Sequence, residues 1–512
     1  TNKMTIKRAL VSVYDKSKIN ILIDYFIKNK VEVLSTGGTA KYLKSLSSKI
    51  NLVEISKYTK FTEILNGRVK TLHPKIHSGL LADKKNKKHL EEMEVSKFNF
   101  IDLVVVNLYP FEKISSNSRN SDEKCIENID IGGPTMIRAA AKNYKNVITL
   151  SNPDQYDVFV NEIRDNGFIS KDTRKKLAGL AFENTAYYES LISSWFNKDN
   201  TAICETNSSI PLKKIKDLRY GENPHQSGAY YKYGNNKLSQ INGKSLSFNN
   251  IYDLESAVEL SYEFEKNSCV IVKHGNPCGV ALDNIQHKAY KKALTCDKTS
   301  AFGGVVAFNQ EVNEKTATQI AKIFTEIVIA PDFSTKAKDL LSKKKNLILI
   351  KYKKTKKQKK FHIKSTPNFI LVQEKDRKII SKSDLHFQTT KNPSKNDIDD
   401  MIFAFTVAKH VNSNAIVLAS NLSTLGIGVG QTSRIDSTIL AISKMKKNFK
   451  NSKPVLASDG FFPFPDIIKL CSANNIKGII QPGGSLNDRI VIESANEKEI
   501  PIVFTNIRHF RH

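Results

Sequence analysis

The sequence predicts an α/β protein of two units: a first unit on a parallel sheet, then a larger α/β region with signs of duplication. Three observations carry this. Over the first 195 residues, apolar strand-like runs alternate with amphipathic helical stretches. That βαβα order belongs to a parallel sheet covered by helices on both faces. A polar, aperiodic segment, NKDNTAICETNSSIPLK (197–213), then breaks the pattern and marks a boundary between 1–198 and 199–512. Beyond it, an apolar strand running into a polar glycine loop occurs twice, at 269–279 and 415–434. At 512 residues the chain is also long for one domain.

The elements follow in order. ALVSVY (9–14) is a short strand, Ser17 to Lys30 an amphipathic helix, and VEVLS (31–35) a second strand leading into TGGTA. LVVVNLYPF (103–111) reads as a buried strand stopped by Pro110. TMIRAAAKNY (135–144) is helical, VITLS (147–151) a strand, and 171–196 a long helix. In the second region the strand-like runs are SGAYYKY, SCVIVKH, FGGVVAF, LILIKY, FILVQ, AIVLAS, PVLASD, GIIQPG and PIVFTN, with helical patterns between several of them.

Composition narrows the function classes. A hydrophobic share of 40% and a charged share of 25% are globular values. No apolar run approaches the roughly 18 residues of a membrane span. The start, TNKMTIKRALVSV, lacks a secretory apolar stretch, and Met4 is a candidate native start. The six cysteines, Cys125, Cys204, Cys269, Cys278, Cys296 and Cys471, form no CxxC pair and no zinc spacing with His. They read as reduced thiols of a cytoplasmic protein. The net charge of +28 is mostly Lys, since Arg supplies 12 of the 79 basic residues. Much of it lies in KKKNLILIKYKKTKKQKK (343–360), which reads as a solvated face or loop. Aromatics are not interleaved through it as a nucleic-acid platform requires. Six Arg residues fall in Gly-rich or polar motifs instead: Arg68, Arg138, Arg219, Arg434, Arg508 and Arg511. That placement suggests bidentate recognition of phosphate or carboxylate.

In the first unit, LSTGGTAKYL (34–43) joins a strand to a helix. Gly37 and Gly38 let backbone amides approach an anion, and Ser35, Thr36 and Thr39 add hydroxyls. A capped turn without a ligand would look similar. SVYDKS (12–17) offers Ser12 and Lys16 at another strand end, and ligands in open α/β sheets sit beyond such ends. NGRVKTLHPKIH (66–77) crowds Arg68, Lys70, Thr71 and His73 together, as a basic surface loop or around an anion. ENIDIGGPTMIRAAAKN (127–143) sets Asp130 before two glycines and Arg138 and Lys142 on one helix face. Tyr109 follows a strand. An acid, a phenol and lysines around a phosphate could move protons in a ring closure.

In the second unit, LRYGENPHQ (218–226) holds Arg219, Tyr220 and His225 around a turn. Asn414 precedes a strand whose glycine ladder leads to Gln431, Ser433 and Arg434. ASDGFFPFPD (457–466) exposes Phe461, Phe462 and Phe464 beside Asp466, as walls for a flat heterocycle or as a satellite core. The terminal NIRHFRH would ordinarily fray. In VIVKHGNPCG (270–279) a buried-strand run stops at Lys273-His274, and Gly275, Asn276, Pro277 and Gly279 are read as the turn. A cationic Lys is a poor companion for a metal-binding His, and no second His lies at i±3 or i±4. A Lys neighbour favours neutral imidazole, so proton transfer competes with a simple capped turn.

Ten motifs occur together and in order: STGGT, GRVKTLHP, NLYPF, DIGGPTMIRAAAKN, LRYGENPHQ, KHGNPCG, SAFGGVVAF, GIGVGQTSR, SDGFFPFPD and RHFRH. On these the chain resembles the bifunctional purine-synthesis enzymes that join phosphoribosylaminoimidazolecarboxamide (AICAR) formyltransferase to IMP cyclohydrolase. The likeness spans almost the whole chain and thins in the Lys-rich 336–396 stretch. It implies that residues 1–198 are a cyclohydrolase with a methylglyoxal-synthase-like fold, closing formyl-AICAR to IMP with loss of water. Ser12, Lys16, Ser35, Thr36, Gly37, Gly38, Thr39, Arg68, Lys70 and Thr71 match its nucleotide and phosphate contacts. Lys70, Tyr109, Asp130 and Lys142 match the groups of ring closure. Ser78, where Gly is common, and Tyr144, where His is common, depart from the pattern.

The same resemblance implies that 199–512 is the formyltransferase, a duplicated α/β/α region with a cytidine-deaminase-like fold. Zinc-deaminase HxE and CxxC signatures are missing from 199–512, so no catalytic metal is expected. The formyl donor is 10-formyltetrahydrofolate and the acceptor is the 5-amino group of AICAR. His274 matches the base, Lys273 the acid or electrostatic partner, and Asn414 the oxyanion stabiliser. Arg219, Tyr220, Ser433, Arg434, Phe461, Asp466, Arg508 and His512 match AICAR and folate contacts. A homodimer sharing the transferase site is implied, with no nucleic-acid or membrane partner. The alternatives are an enzyme with one decayed site, a Lys-rich RNA-binding protein, or a non-catalytic nucleotide-sensing α/β protein.

Overall fold

A computed structural model describes residues 4–198, 207–233, 237–354 and 361–512. Cys204, the residues before Met4, part of the polar boundary segment and the end of the Lys-rich run lie outside the described residues. The chain divides into two compact units, Thr1–Lys213 and Lys214–His512. Among the described residues no helix is long and apolar enough to cross a membrane.

Unit one is built on β1 (Arg8–Ser12), β2 (Glu32–Ser35), β3 (Leu52–Glu54), β4 (Leu103–Val106) and β5 (Ile148–Leu150). Their order is β3-β2-β1-β4-β5, and every pairing is parallel. Side chains alternate between faces, as the two-residue strand period requires. Ala9, Val11, Leu103 and Val105 pack with Leu22, Phe26 and Phe159, while Leu10 and Val104 pack with Ile76, Leu80 and Ile137. The chain runs from β1 outward to β3, then returns to β4 on the other side of β1. The switch point therefore lies between β1 and β4, where open sheets leave a crevice beyond the strand ends.

Unit two contains a 12-stranded mixed sheet. Two hairpins meet at its centre: Ser268–Lys273 with Asn276–Leu282, and Ile416–Ser420 with Ser423–Gly428. They join antiparallel at Ala281 and Ser423, and Thr424 Oγ1 bonds both the amide and the carbonyl of Val280. From that seam the pairing pattern repeats outward. Each hairpin is flanked by an antiparallel strand (Val305–Phe308; Val455–Ser458), two parallel ones (Ile327–Ala330 and Ile348–Lys353; Gly478–Gln481 and Ile502–Phe504) and an antiparallel edge (Lys237–Asn242; His386–Phe387). A 14-residue helix with a Ser capping box precedes each hairpin, Phe248–Ser261 and Lys395–Ala408. The faint echo in the sequence is a duplication of about ten elements.

Two expectations need correction. The turn after Lys273 is only His274 and Gly275, and Asn276–Leu282 is a strand with a bulge between Pro277 and Gly279. The glycine ladder at 423–428 is likewise a strand, because both glycines face a helix backbone. Glycine-rich, buried strands read as loops when only β-branched runs are sought.

Candidate functional sites

The switch-point crevice of unit one collects the motifs at strand ends. Asn107, just past β4, accepts from the amides of Tyr14 and Asp15 and donates to the Asp15 carbonyl, fixing the loop after β1. Thr39 Oγ1 accepts from Val13 N and donates to Val13 O, and buried Ser35 donates to Val11 O, so these hydroxyls tie two loops together. Ser12 Oγ and Thr36 Oγ1 lie 3.1 Å apart. Gly37 and Gly38 open the helix Gly37–Leu46, and a Cβ on either would meet nothing within 4 Å. The protein itself does not demand glycine there; the space lies over free helix amides. Lys16 reaches back to the Tyr14 carbonyl at 3.4 Å. Tyr14 and Tyr109, both exposed, pack edge to face with ring centres 5.9 Å apart.

Asp130 Oδ1 accepts from Gly133 N at 2.8 Å, and a Cβ on Gly133 would press on that carboxylate. Burial raises the Asp130 pKa above the ordinary carboxylate value, against the pull of the Gly133 and Tyr109 amides. Tyr188, buried, accepts from Asp130 N and donates to Asn128 O. Three expectations change here. Arg68 and Lys70 are paired with Glu127 and Glu63, so their crowding does not by itself require an anion. Thr71 is buried against Gly132. Lys142 ends the helix Gly132–Lys142, roughly 15 Å along its axis from Gly132 at 1.5 Å per residue, while Arg138 lies over the Phe182 ring. This unit does not gather Lys142 with Asp130.

In unit two the Lys-His turn and Asn414 sit on opposite sides of the central seam and are connected across it. Asn276 Oδ1 accepts from Asn412 N at 2.9 Å, and its amide donates to the His274 carbonyl at 3.2 Å. Lys273 Nζ donates to the Phe302 carbonyl of SAFGG at 2.8 Å. Asn414 donates to the carbonyls of Gln431 and Thr432 and accepts from Arg434 Nη2 at 2.8 Å. To meet an oxyanion, Asn414 must exchange one of those two carbonyls. Arg434 is buried, with Nη1 bound to Ser458 and Asp459, so it orients Asn414 from behind. Ser433 caps the helix Arg434–Asn448 through Asp436 N. A Cβ on Gly460 would strike Arg434 and Phe510, so glycine lets the tail lie against the guanidinium.

The tail is docked, not frayed. His509 is buried, its amide donates to Asp459 O, and its ring meets Asp376. Arg511 O accepts from Ser413 N. Arg508 stacks on Phe510, which packs edge to face with His512. Of the FFPF aromatics, Phe461 and Phe464 are exposed and Asp466 opens the next helix, but Phe462 belongs to the core. Arg219 stacks over Tyr220, and the turn they begin is tied to the helix Phe248–Ser261 by Asn249 Nδ2 and Glu222 O. Residues missed by motif reading are Tyr14, Asn107, Asp253 and Asp459, and for Asn276, read only as a turn residue, the bond to Asn412. Each acts through a backbone or side-chain bond to a distant segment, which has no local spacing signature. Among the described residues no group of three or more His, Cys, Asp or Glu could hold a metal ion.

Comparison with known proteins fits this layout. The methylglyoxal-synthase-like (MGS-like) domain family matches residues 19–135, and the AICARFT/IMPCHase bienzyme family matches residues 140–444. Relatives called bifunctional purine biosynthesis protein PurH align end to end. Those of Caldicellulosiruptor saccharolyticus and Thermoanaerobacter sp. are 46% identical over 99% of this chain and 100% of their own length. That of Fusobacterium nucleatum is 45% identical with the same coverage. Neither an RNA-binding nor a nucleotide-sensing reading finds support among them. A parallel-sheet first unit, a duplicated second unit and full-length relatives converge: the chain belongs to the AICARFT/IMPCHase bienzyme family.

Proposed function

We propose that residues 1–198 close formyl-AICAR to IMP and that 199–512 first make formyl-AICAR from AICAR and 10-formyltetrahydrofolate. The amine of AICAR attacks the formyl carbon. His274 takes the amine proton, and Lys273, held by the Phe302 carbonyl, supplies charge or a proton as the tetrahydrofolate nitrogen leaves. Asn414, oriented by Arg434, donates to the tetrahedral oxyanion once it releases a loop carbonyl. Phe461 and Asp466 wall the folate, and Arg219, Tyr220, Ser433, Arg508 and His512 surround the substrates. The observation that carries this reading is the Asn276–Asn412 bond across the seam, which ties the Lys-His turn to the loop bearing Asn414.

For ring closure, the amides over Gly37 and Gly38, with Ser12, Lys16, Thr36 and Arg68, form the phosphate end, while the buried Ser35, Thr39 and Thr71 hold the loops around it. Asp130, made more basic by burial, takes the proton of the attacking carboxamide nitrogen. Tyr109 and Lys70 assist loss of water. Lys142, at the far end of its helix from Asp130, joins this site only when a second copy supplies it. A homodimer is favoured by the hairpin Phe361–Ser365 with Ile370–Glu374, whose turn exposes Phe369 and whose second strand exposes Ile370, Leu371 and Val372. The matched repeat architecture supports a cytidine-deaminase-like second unit, and a cytoplasmic setting suits soluble nucleotide and folate substrates. In the test, His274→Ala abolishes formyl transfer and leaves cyclisation of supplied formyl-AICAR intact. Retained formyl transfer contradicts the assignment.

A further inference from the structure

The duplicated halves share one device at their central turns. In the first half, Asp253 is the sixth residue of the helix Phe248–Ser261. Its Oδ2 accepts from His274 N at 3.3 Å and its Oδ1 from Gly275 N at 2.7 Å. In the second half, Asp400 is the sixth residue of Lys395–Ala408. Its Oδ2 accepts from Asn421 N at 3.0 Å and its Oδ1 from Leu422 N at 2.7 Å. In both turns the two central residues have positive φ: 53° and 72° at His274 and Gly275, 52° and 54° at Asn421 and Leu422. Such a turn leaves two adjacent amides pointing the same way, and one carboxylate satisfies both.

The two turns differ in cargo. The second presents Asn421 and Leu422; the first presents His274, with Lys273 just before it. His274 sits in the left-handed region, which a non-glycine residue holds only when its surroundings impose it. Tyr252, next to Asp253, covers Gly275 so closely that a Cβ there would strike its ring. One helix turn therefore fixes both residues of the hairpin tip.

We propose that Asp253 is a positioning residue for formyl transfer: by binding the amides of His274 and Gly275 it fixes the turn that presents the His274 imidazole to the AICAR amine. This rests on the assignment of His274 as the base. Asp400 is the internal control, the same lock on a turn without that cargo.

The experiment compares Asp253→Asn, Asp253→Glu, Asp400→Asn and His274→Ala in the full chain. It measures formyl-transfer kcat, KM for AICAR, cyclisation of supplied formyl-AICAR, and Tm. Asp253→Asn keeps one acceptor oxygen and misplaces the turn slightly, so kcat falls by about 10²-fold with KM for AICAR nearly unchanged. Cyclisation, which reports a folded chain, is retained. Asp400→Asn lowers Tm but leaves kcat within about twofold. If Asp253→Asn does not fold, Asp253→Glu, with its carboxylate one methylene further out, gives the same kcat reading. The proposal is overturned if the folded Asp253 variant lowers Tm as Asp400→Asn does and keeps its kcat while His274→Ala is inactive. If His274→Ala itself remains active, the assignment of His274 fails instead.

Discussion

His274 and Asp130 show what single side chains contribute and how much of it the residue types alone convey. The Lys-His pair and the acid before two glycines both stood out in the sequence. The backbone state of His274, the two amides held by Asp253 and the burial of Asp130 did not, since each depends on a partner far along the chain. Arg434 shows partners that its residue type does not convey. An Arg in a glycine-rich motif suggests a ligand contact, yet its guanidinium is largely occupied by Asp459, Ser458 and Asn414. The Asp130 pKa is raised by burial, so its folded form holds a proton more tightly than its unfolded form. The parent therefore loses stability relative to Asp130→Asn as pH rises through the folded pKa. Melting curves over about pH 4 to 7 should show the variant gaining on the parent with rising pH, while its cyclisation falls. A constant difference contradicts the burial argument.

Among the elements, helices and β-branched strands were legible, and the long helix Lys171–Phe196 coincides with its sequence pattern. The strands Asn276–Leu282 and Ser423–Gly428 were not, because their glycines serve close packing and break the apolar run. A Cβ on Gly279 would run into the Ala293 carbonyl, and one on Gly426 into that of Ala441. These are backbone contacts between strand and helix and cannot yield by rotating a side chain. Gly426→Ala should destabilise the chain by about 1–3 kcal/mol, seen as a lower urea midpoint. An unchanged midpoint would show that the helix shifts freely.

For the whole molecule, alternation of strand and helix conveyed the parallel first unit, and two similar strand-to-loop runs hinted at the repeat in the second. The extent of that repeat was hidden, since the halves share pairing pattern and turn lock but little residue identity. The exposed apolar strand Ile370–Glu374 lies in the Lys-rich 336–396 stretch, where no motif pointed to it. If this strand carries the proposed homodimer, the parent sediments as a dimer and Leu371→Asp, at a residue 54% exposed in the single chain, sediments as a monomer and weakens formyl transfer. A monomeric parent contradicts the dimer, and a variant that stays dimeric places the interface elsewhere. The central claim, that one chain performs both reactions in sequence, is met most directly by mixing it with AICAR and 10-formyltetrahydrofolate and following both products. The account predicts that tetrahydrofolate and IMP both appear; if neither forms, the account is wrong.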